Sequence, residues 1–235
     1  MLSQNEPTAE ALAQSQGVVS AEEPKQVVSK TARRFSSVRR DIQRYVQMGE
    51  NPNPPFLEKV RIFLDEPGLQ AIILHRFGFW VDQTFRFPPI RKPLMFVYYI
   101  FQKLINICWG IYIDQRAEIG AGLYIGHFGG ILIGPVRIGK NCNIAQNVCI
   151  GKRADGLPGT PVIGDRVWIG VGSVVFGGIC IGDGVTIGPL TVVSRSLPPN
   201  LLVIGNPLRV LRQNYDNHRE IYGPNVGQLN LGVEE

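Results

Sequence analysis

The feature that most constrains this chain is a six-residue beat of aliphatic side chains. Ile113, Ile119, Ile125 and Ile131 are six apart, a seven-residue step leads to Ile138, and Ile144 and Ile150 follow. Thirteen residues then separate Ile150 from Ile163, after which Ile169, Val175, Ile181, Ile187 and Val193 run on at six. Small or β-branched residues recur four places after many of these: Ala117, Cys142, Val148, Val167, Ser173, Val185 and Thr191. A helix cannot hold this pattern on one face, because six steps of about 100° leave the side chain far from its starting direction. A flat strand could, but most of the aliphatic positions are followed by glycine, and 19 of the chain's 27 glycines fall between Gly120 and Gly205. They follow neither collagen spacing nor low complexity. A triangular solenoid satisfies both constraints. Each unit is a short strand plus a turn, three units close a coil of about 18 residues, and glycine supplies the corner backbone.

The spacing of Ile150 to Ile163 implies an insertion over residues 150–162 (IGKRADGLPGTPV). Solenoids carry such loops at corners, commonly on the binding face. It is expected to project over the active site. His127 is the one histidine of the repeat. It follows Ile125 by two residues, among Gly126, Gly129 and Gly130. A neutral imidazole suits proton removal near neutral pH, and the glycines allow close backbone approach.

Before the solenoid the pattern is helical. Residues 1–30, poor in aromatics, read as a disordered tail with no apolar core of a signal peptide. Thr31 to Gly49 reads as a basic helix with a solvated charged face (Arg33, Arg34, Arg39, Arg40, Arg44). Phe56 to Leu64 is a short helix, and Leu69 to Phe85 carries helical spacing. Pro88, Pro89 and Pro93 punctuate before an apolar helix reaching Trp109. This last stretch is interrupted by Gln102, Lys103 and Asn106, so it reads as a buried or oligomer-facing helix, the alternative being a peripheral membrane contact. The organisation expected is thus a tail over 1–30, helices over 31–110, the β-helix over 111–211 and a C-terminal tail over 212–235.

A net charge of +5 argues against nucleic acid as the partner. The four cysteines form no C-x-x-C pair and the three histidines cannot complete a zinc set, so no metal is expected and a reducing, cytoplasmic setting is.

The block from Gly110 to Leu211 resembles the hexapeptide-repeat acyltransferases, and the run GLYIGHFGGILIG resembles their serine O-acetyltransferase branch, which includes enzymes of surface-polysaccharide pathways. The terminal IGNPLRVL resembles that family's last coil, and the likeness runs from about Asp65 to Leu211. The resemblance implies a mainly β fold, a left-handed parallel β-helix preceded by helices. It also implies a homotrimer using acetyl-CoA, with His127 as general base. By the same resemblance, Gly170, Gly172, Ser173 and Gly188 line the coenzyme A groove between adjacent subunits, and Arg195, Arg209 and Arg212 meet its phosphates.

The chain departs from the family pattern at several positions. The aspartate expected fifteen residues before the histidine is Tyr112, with Asp114 as a stand-in on the same side of the strand. Gly126 replaces an aspartate, and Gly159-Thr160-Pro161 stands where the serine enzymes have Arg-His-Pro. A serine zwitterion bound without those partners would bury unpaired charge. A neutral sugar hydroxyl is therefore favoured over serine, with Lys152, Arg153 and Asp155 of the insertion as substitute acceptor contacts. The alternative is a β-helix scaffold that kept the fold and lost the chemistry. A carbonic-anhydrase-like site fails on histidine count.

Overall fold

The computed structural model describes residues 32–49, 51, 54–153 and 158–223, with side chains from residue 37 on. The tail expected over 1–30 lies outside these. Among the described residues, fourteen short strands wind into a three-faced parallel solenoid. The first face stacks Ile111–Ile113, Ile131–Ile133, Cys149–Gly151, Val174–Phe176 and Val192–Val193. The second stacks Glu118–Ile119, Arg137–Ile138, Val162–Ile163 and Cys180–Ile181. The third stacks Tyr124–Ile125, Asn143–Ile144, Trp168–Ile169, Thr186–Ile187 and Leu202–Ile204, and Arg209–Arg212 folds back antiparallel against its last strand. This is the left-handed β-helix that the resemblance implies.

The beat of six selects the interior. Ile125, Ile144, Ile150, Ile169, Val175, Ile187 and Val193 are sealed from water, as are the small residues four places on. The phase differs from the sequence reading at one place. Ile131 pairs with Ile111, and Ile133, not Ile131, pairs with Ile113. The step from Ile125 to its next equivalent is therefore eight residues, and that from Ile133 to Ile138 is five. The two extra residues lie in the Gly126–Gly130 corner, which holds His127.

Among the described residues, four helices precede the solenoid: α1 (Ala32–Met48), α2 (Phe56–Asp65), α3 (Pro67–Thr84) and α4 (Pro88–Trp109). Pro88 does not precede the last helix but starts it, since Pro fits the first helical positions. Pro93 lies inside it. Gly110, at φ 63°, ends it and turns the chain into the first strand. Leu69 and Ile72 of α3 join the solenoid core.

An open strand edge is a row of unpaired peptides, and these helices satisfy it face by face. Gln102 Nε2 donates to Ile113 O (2.8 Å) on the first face. At the corner after the second, Arg76 donates to Ile119 O and Gly120 O, while Asp41 Oδ1 accepts from the N–H groups of Gly122 and Leu123. On the third, the Tyr45 hydroxyl accepts from Ile125 N (3.0 Å) and donates to Ile125 O (3.2 Å). Burial pushes the Asp41 carboxyl up, against the pull of Arg76.

Two expectations are corrected. The face of α1 is solvated at Arg39 and Arg40 but not at Arg44, which is 2% exposed. Arg44 donates to Asn143 Oδ1 and Ile221 O and lies 4.6 Å from the Tyr222 ring centroid. The chain after Leu211 also continues to pack. Helix α5 (His218–Tyr222) buries Ile221 against that arginine. The outer face of α4 leaves Phe96, Val97, Ile100, Phe101, Leu104 and Ile107 exposed. No described helix is long and apolar enough to cross a membrane.

Candidate active site

Three edges run the length of the prism, and they distribute the candidate residues. His127 occupies the corner between the third and first faces. Its backbone is left-handed (φ 64°), a conformation rare for a side chain with a Cβ, and its imidazole is exposed. Phe128 stacks edge-on against Trp109 at 5.2 Å, fixing the corner to the end of α4.

Gly170, Gly172 and Gly188 lie on this same edge, one and two coils beyond Ala145, as the ladder of Gly126, Ala145, Gly170 and Gly188 N–H groups shows. At about 4.8 Å per coil, Gly188 is about 14 Å from the histidine corner. The lack of a side chain at Gly170 is required: a Cβ there would meet the Gly188 backbone at 2.8 Å. The edge is thus a narrow backbone track leading from His127. The Ser173 side chain is not part of its surface. It turns inward, donates to Gly188 O (2.9 Å), accepts from Thr191 N, and is sealed from solvent. It belongs to the core, which leaves the backbone of Ser173 for the coenzyme contact that the resemblance implies.

The insertion emerges at a different edge, between the first and second faces. Lys152 is exposed there, and Arg153 lies along Gly177 with its guanidinium 5.8 Å from the Phe176 ring centroid. Asp155 lies outside the described residues. Arg195 is exposed on this edge too, whereas Arg209 and Arg212 are exposed on the final antiparallel strand. The described residues of the insertion therefore lie at the edge that does not carry His127.

Asp114 is likewise on the insertion edge. Its Oδ1 accepts from the backbone and Nε of Arg116, and its Oδ2 from the guanidinium (3.0 Å). Those hydrogen bonds hold its carboxyl below the usual range. Asp114 is therefore no stand-in beside the imidazole. Tyr112 pairs with Leu132 on the first face, and its phenol acts on Tyr98 and Arg116.

The carboxyl whose charge His127 influences is Glu66, just before the start of α3. Burial pushes it up, and the imidazole opposes that rise. Sequence reading missed it because 61 positions separate the two, and nothing in a repeat points outside itself. Among the described residues no three His, Cys, Asp or Glu side chains gather to hold a metal.

The solenoid with its helical cap is similar in fold to solved hexapeptide-repeat transferases. Among these, the particular likeness is to serine acetyltransferases. That of Synechococcus elongatus is 33% identical over 161 residues, covering 68% of this chain and 63% of that protein. That of Helicobacter pylori is 29% identical over 165 residues, 69% of this chain and 91% of that one. The matched stretch thus spans under two thirds of the Synechococcus enzyme. Among solved structures, Neisseria gonorrhoeae serine acetyltransferase in complex with serine aligns with a TM-score of 0.63 at 26% identity, over 77% of this chain and 70% of that one. The Brucella abortus enzyme in complex with coenzyme A aligns at 0.63, over 78% and 69%, and at 24% identity shows the shared fold. No protein-family model matches the chain.

Proposed function

We propose that this protein transfers an acetyl group from acetyl-CoA to a hydroxyl, with His127 as general base. The observation that carries the reading is the exposed imidazole at the head of the backbone track formed by Gly170, Gly172 and Gly188. In the reaction, His127 takes the acceptor's O–H proton as its oxygen attacks the thioester carbonyl. The tetrahedral intermediate collapses, the C–S bond breaks, and the imidazolium returns the proton to the departing thiolate. Backbone N–H groups at the glycine corner suit the oxyanion.

The remaining parts stand on the other edge, so the site is completed between two copies. The histidine edge of one faces the insertion edge of the next, bringing Lys152, Arg153 and Arg195 toward the acceptor and the coenzyme phosphates. Three-fold symmetry closes such a ring, and the exposed apolar face of α4 supplies contact area. A trimer by sedimentation that does not co-sediment with anionic vesicles supports this. A monomer that binds vesicles instead assigns that face to a membrane surface. The cytoplasmic setting rests on the cysteine pattern, four residues with no C-x-x-C pair.

For the acceptor, a sugar hydroxyl fits better than serine. The corner beside His127 carries Gly126, and Gly159 and Thr160 offer no cation for a carboxylate. The Neisseria complex makes serine the necessary comparison. The deciding experiment is an acceptor screen with acetyl-CoA and a free-thiol readout: sugars and nucleotide sugars release thiol faster than L-serine. Rapid turnover with millimolar serine reverses the acceptor choice. The scaffold reading draws on Tyr112 and on the engaged Asp114. It prevails if no hydroxyl acceptor releases thiol.

A further inference from the structure

Tyr112 leaves the proposed base without a carboxylate on its own face, and Asp114 is held by Arg116. The cap supplies one instead. Pro67 opens α3, and Gly68 lies directly on the strand that precedes the histidine. A Cβ at Gly68 would sit 2.5 Å from Ile125 O and 2.6 Å from the Tyr45 hydroxyl. The first turn of α3 is therefore seated two residues from His127. Glu66 is the residue before this turn. Its backbone is extended (φ −110°, ψ 92°), its N–H donates to Ile62 O, and its side chain does not cap the helix it precedes. The carboxyl is half-buried. The titratable groups facing it come from three elements: Tyr45 of α1, Asp65 of α2, and Tyr124 and His127 of the first coil. The Tyr45 hydroxyl is already committed to Ile125, and Tyr45 and Tyr124 pack at 4.7 Å as a wall. Of these groups, only the imidazole can become a cation.

We propose that Glu66 is a positioning residue that places a carboxylate of the helical cap near the His127 corner, where its charge stabilises the imidazolium formed as the acceptor hydroxyl loses its proton. The inference rests on His127 being the base. The proton path is unchanged by it: the proton moves from acceptor to imidazole to thiolate, and Glu66 remains a carboxylate throughout. The carboxylate comes from a helix joined to the solenoid only through the capped end, so the cap that closes the coil also sets the chemistry.

The test uses the full chain. Glu66→Gln should lower kcat about tenfold, the rate equivalent of one pKa unit, with the KM for acetyl-CoA unchanged. The acid limb of its pH–rate profile should move about one unit lower, since loss of a neighbouring negative charge favours the neutral base. Glu66→Asp should restore part of kcat. A second readout needs no turnover: the Glu66 side-chain carboxyl, followed by carbon NMR, should titrate at higher pH in His127→Ala than in the parent. Parental kcat and pH profile in a folded Glu66→Gln, or a Glu66 titration indifferent to His127→Ala, overturns the proposal. If His127→Ala itself releases thiol at the parental rate, the base reading fails instead, and the carboxyl titration still reports whether the two side chains interact.

Discussion

The first coil carries two histidine–carboxylate neighbourhoods, one on each side of the first face, and they differ in access to water. At the insertion edge, His75 of α3 faces Asp114. It is 3% exposed, the Ala117 backbone accepts from it, and burial with the neighbouring Arg76 pushes it down to about 3. At the other edge, His127 influences the charge of Glu66 and stands open to solvent. The first histidine is held neutral by its surroundings, and its Nδ1 is buried without a partner. It can neither receive an acceptor nor change charge in the working range. The second is open to an incoming acceptor. Residue type and nearby carboxylate are common to both neighbourhoods, so accessibility is what separates the packing imidazole from the one proposed as a base.

The sharpest way to break this comparison is to remove each ring. His127→Ala should lower acetyl transfer by about 10²–10⁴-fold and leave the melting temperature where it was, as checked by thiol release and circular dichroism. His75→Ala should do the reverse, costing about 1–3 kcal/mol in urea unfolding because a buried backbone acceptor loses its donor. Acid should then discriminate further. The folded value of His75 lies below the ordinary 6.5, so the unfolded chain binds a proton that the native one refuses. Its contribution is fully present above about pH 6.5 and falls by about 1.4 kcal/mol per unit between there and about 3. His75→Phe should flatten that part of the stability profile, and an unchanged slope would place the ring in water. The smallest effect belongs to Asp114→Asn. Arg116 is 76% exposed, so solvent screens the pair, the unfolding midpoint should barely move, and thiol release should stay at the parental rate.

The solenoid was legible because its signal is local and periodic: the interior position recurs every six residues and needs no knowledge of distant chain. Its phase slipped where Ile131 and Ile133 offered two aliphatic choices one pleat apart, since a strand side chain returns to the same face every second residue. The structure takes Ile133, and the two residues displaced make the corner that carries His127. What remained hidden was contact between regions. Asp41 meets Gly122 across 81 positions, Arg44 reaches Asn143 across 99, and Glu66 feels the charge of a histidine from another element. Each of these charges reads as an ordinary solvated residue in its own helix. Ser173 shows the opposite case: a small polar side chain of the repeat is satisfied inside it, by the coil above.

Parallel coils have no intrinsic reason to stop, and an exposed last rung would accept another molecule's first. Here one terminus of the stack is blocked by side chains from three helices, and the other by Arg209–Arg212 running in the wrong direction for continuation. Loss of either plug, for example by Asp41→Ala together with Arg76→Ala, would leave a sticky ladder competent for head-to-tail fibres. These plugs keep a potentially endless architecture discrete.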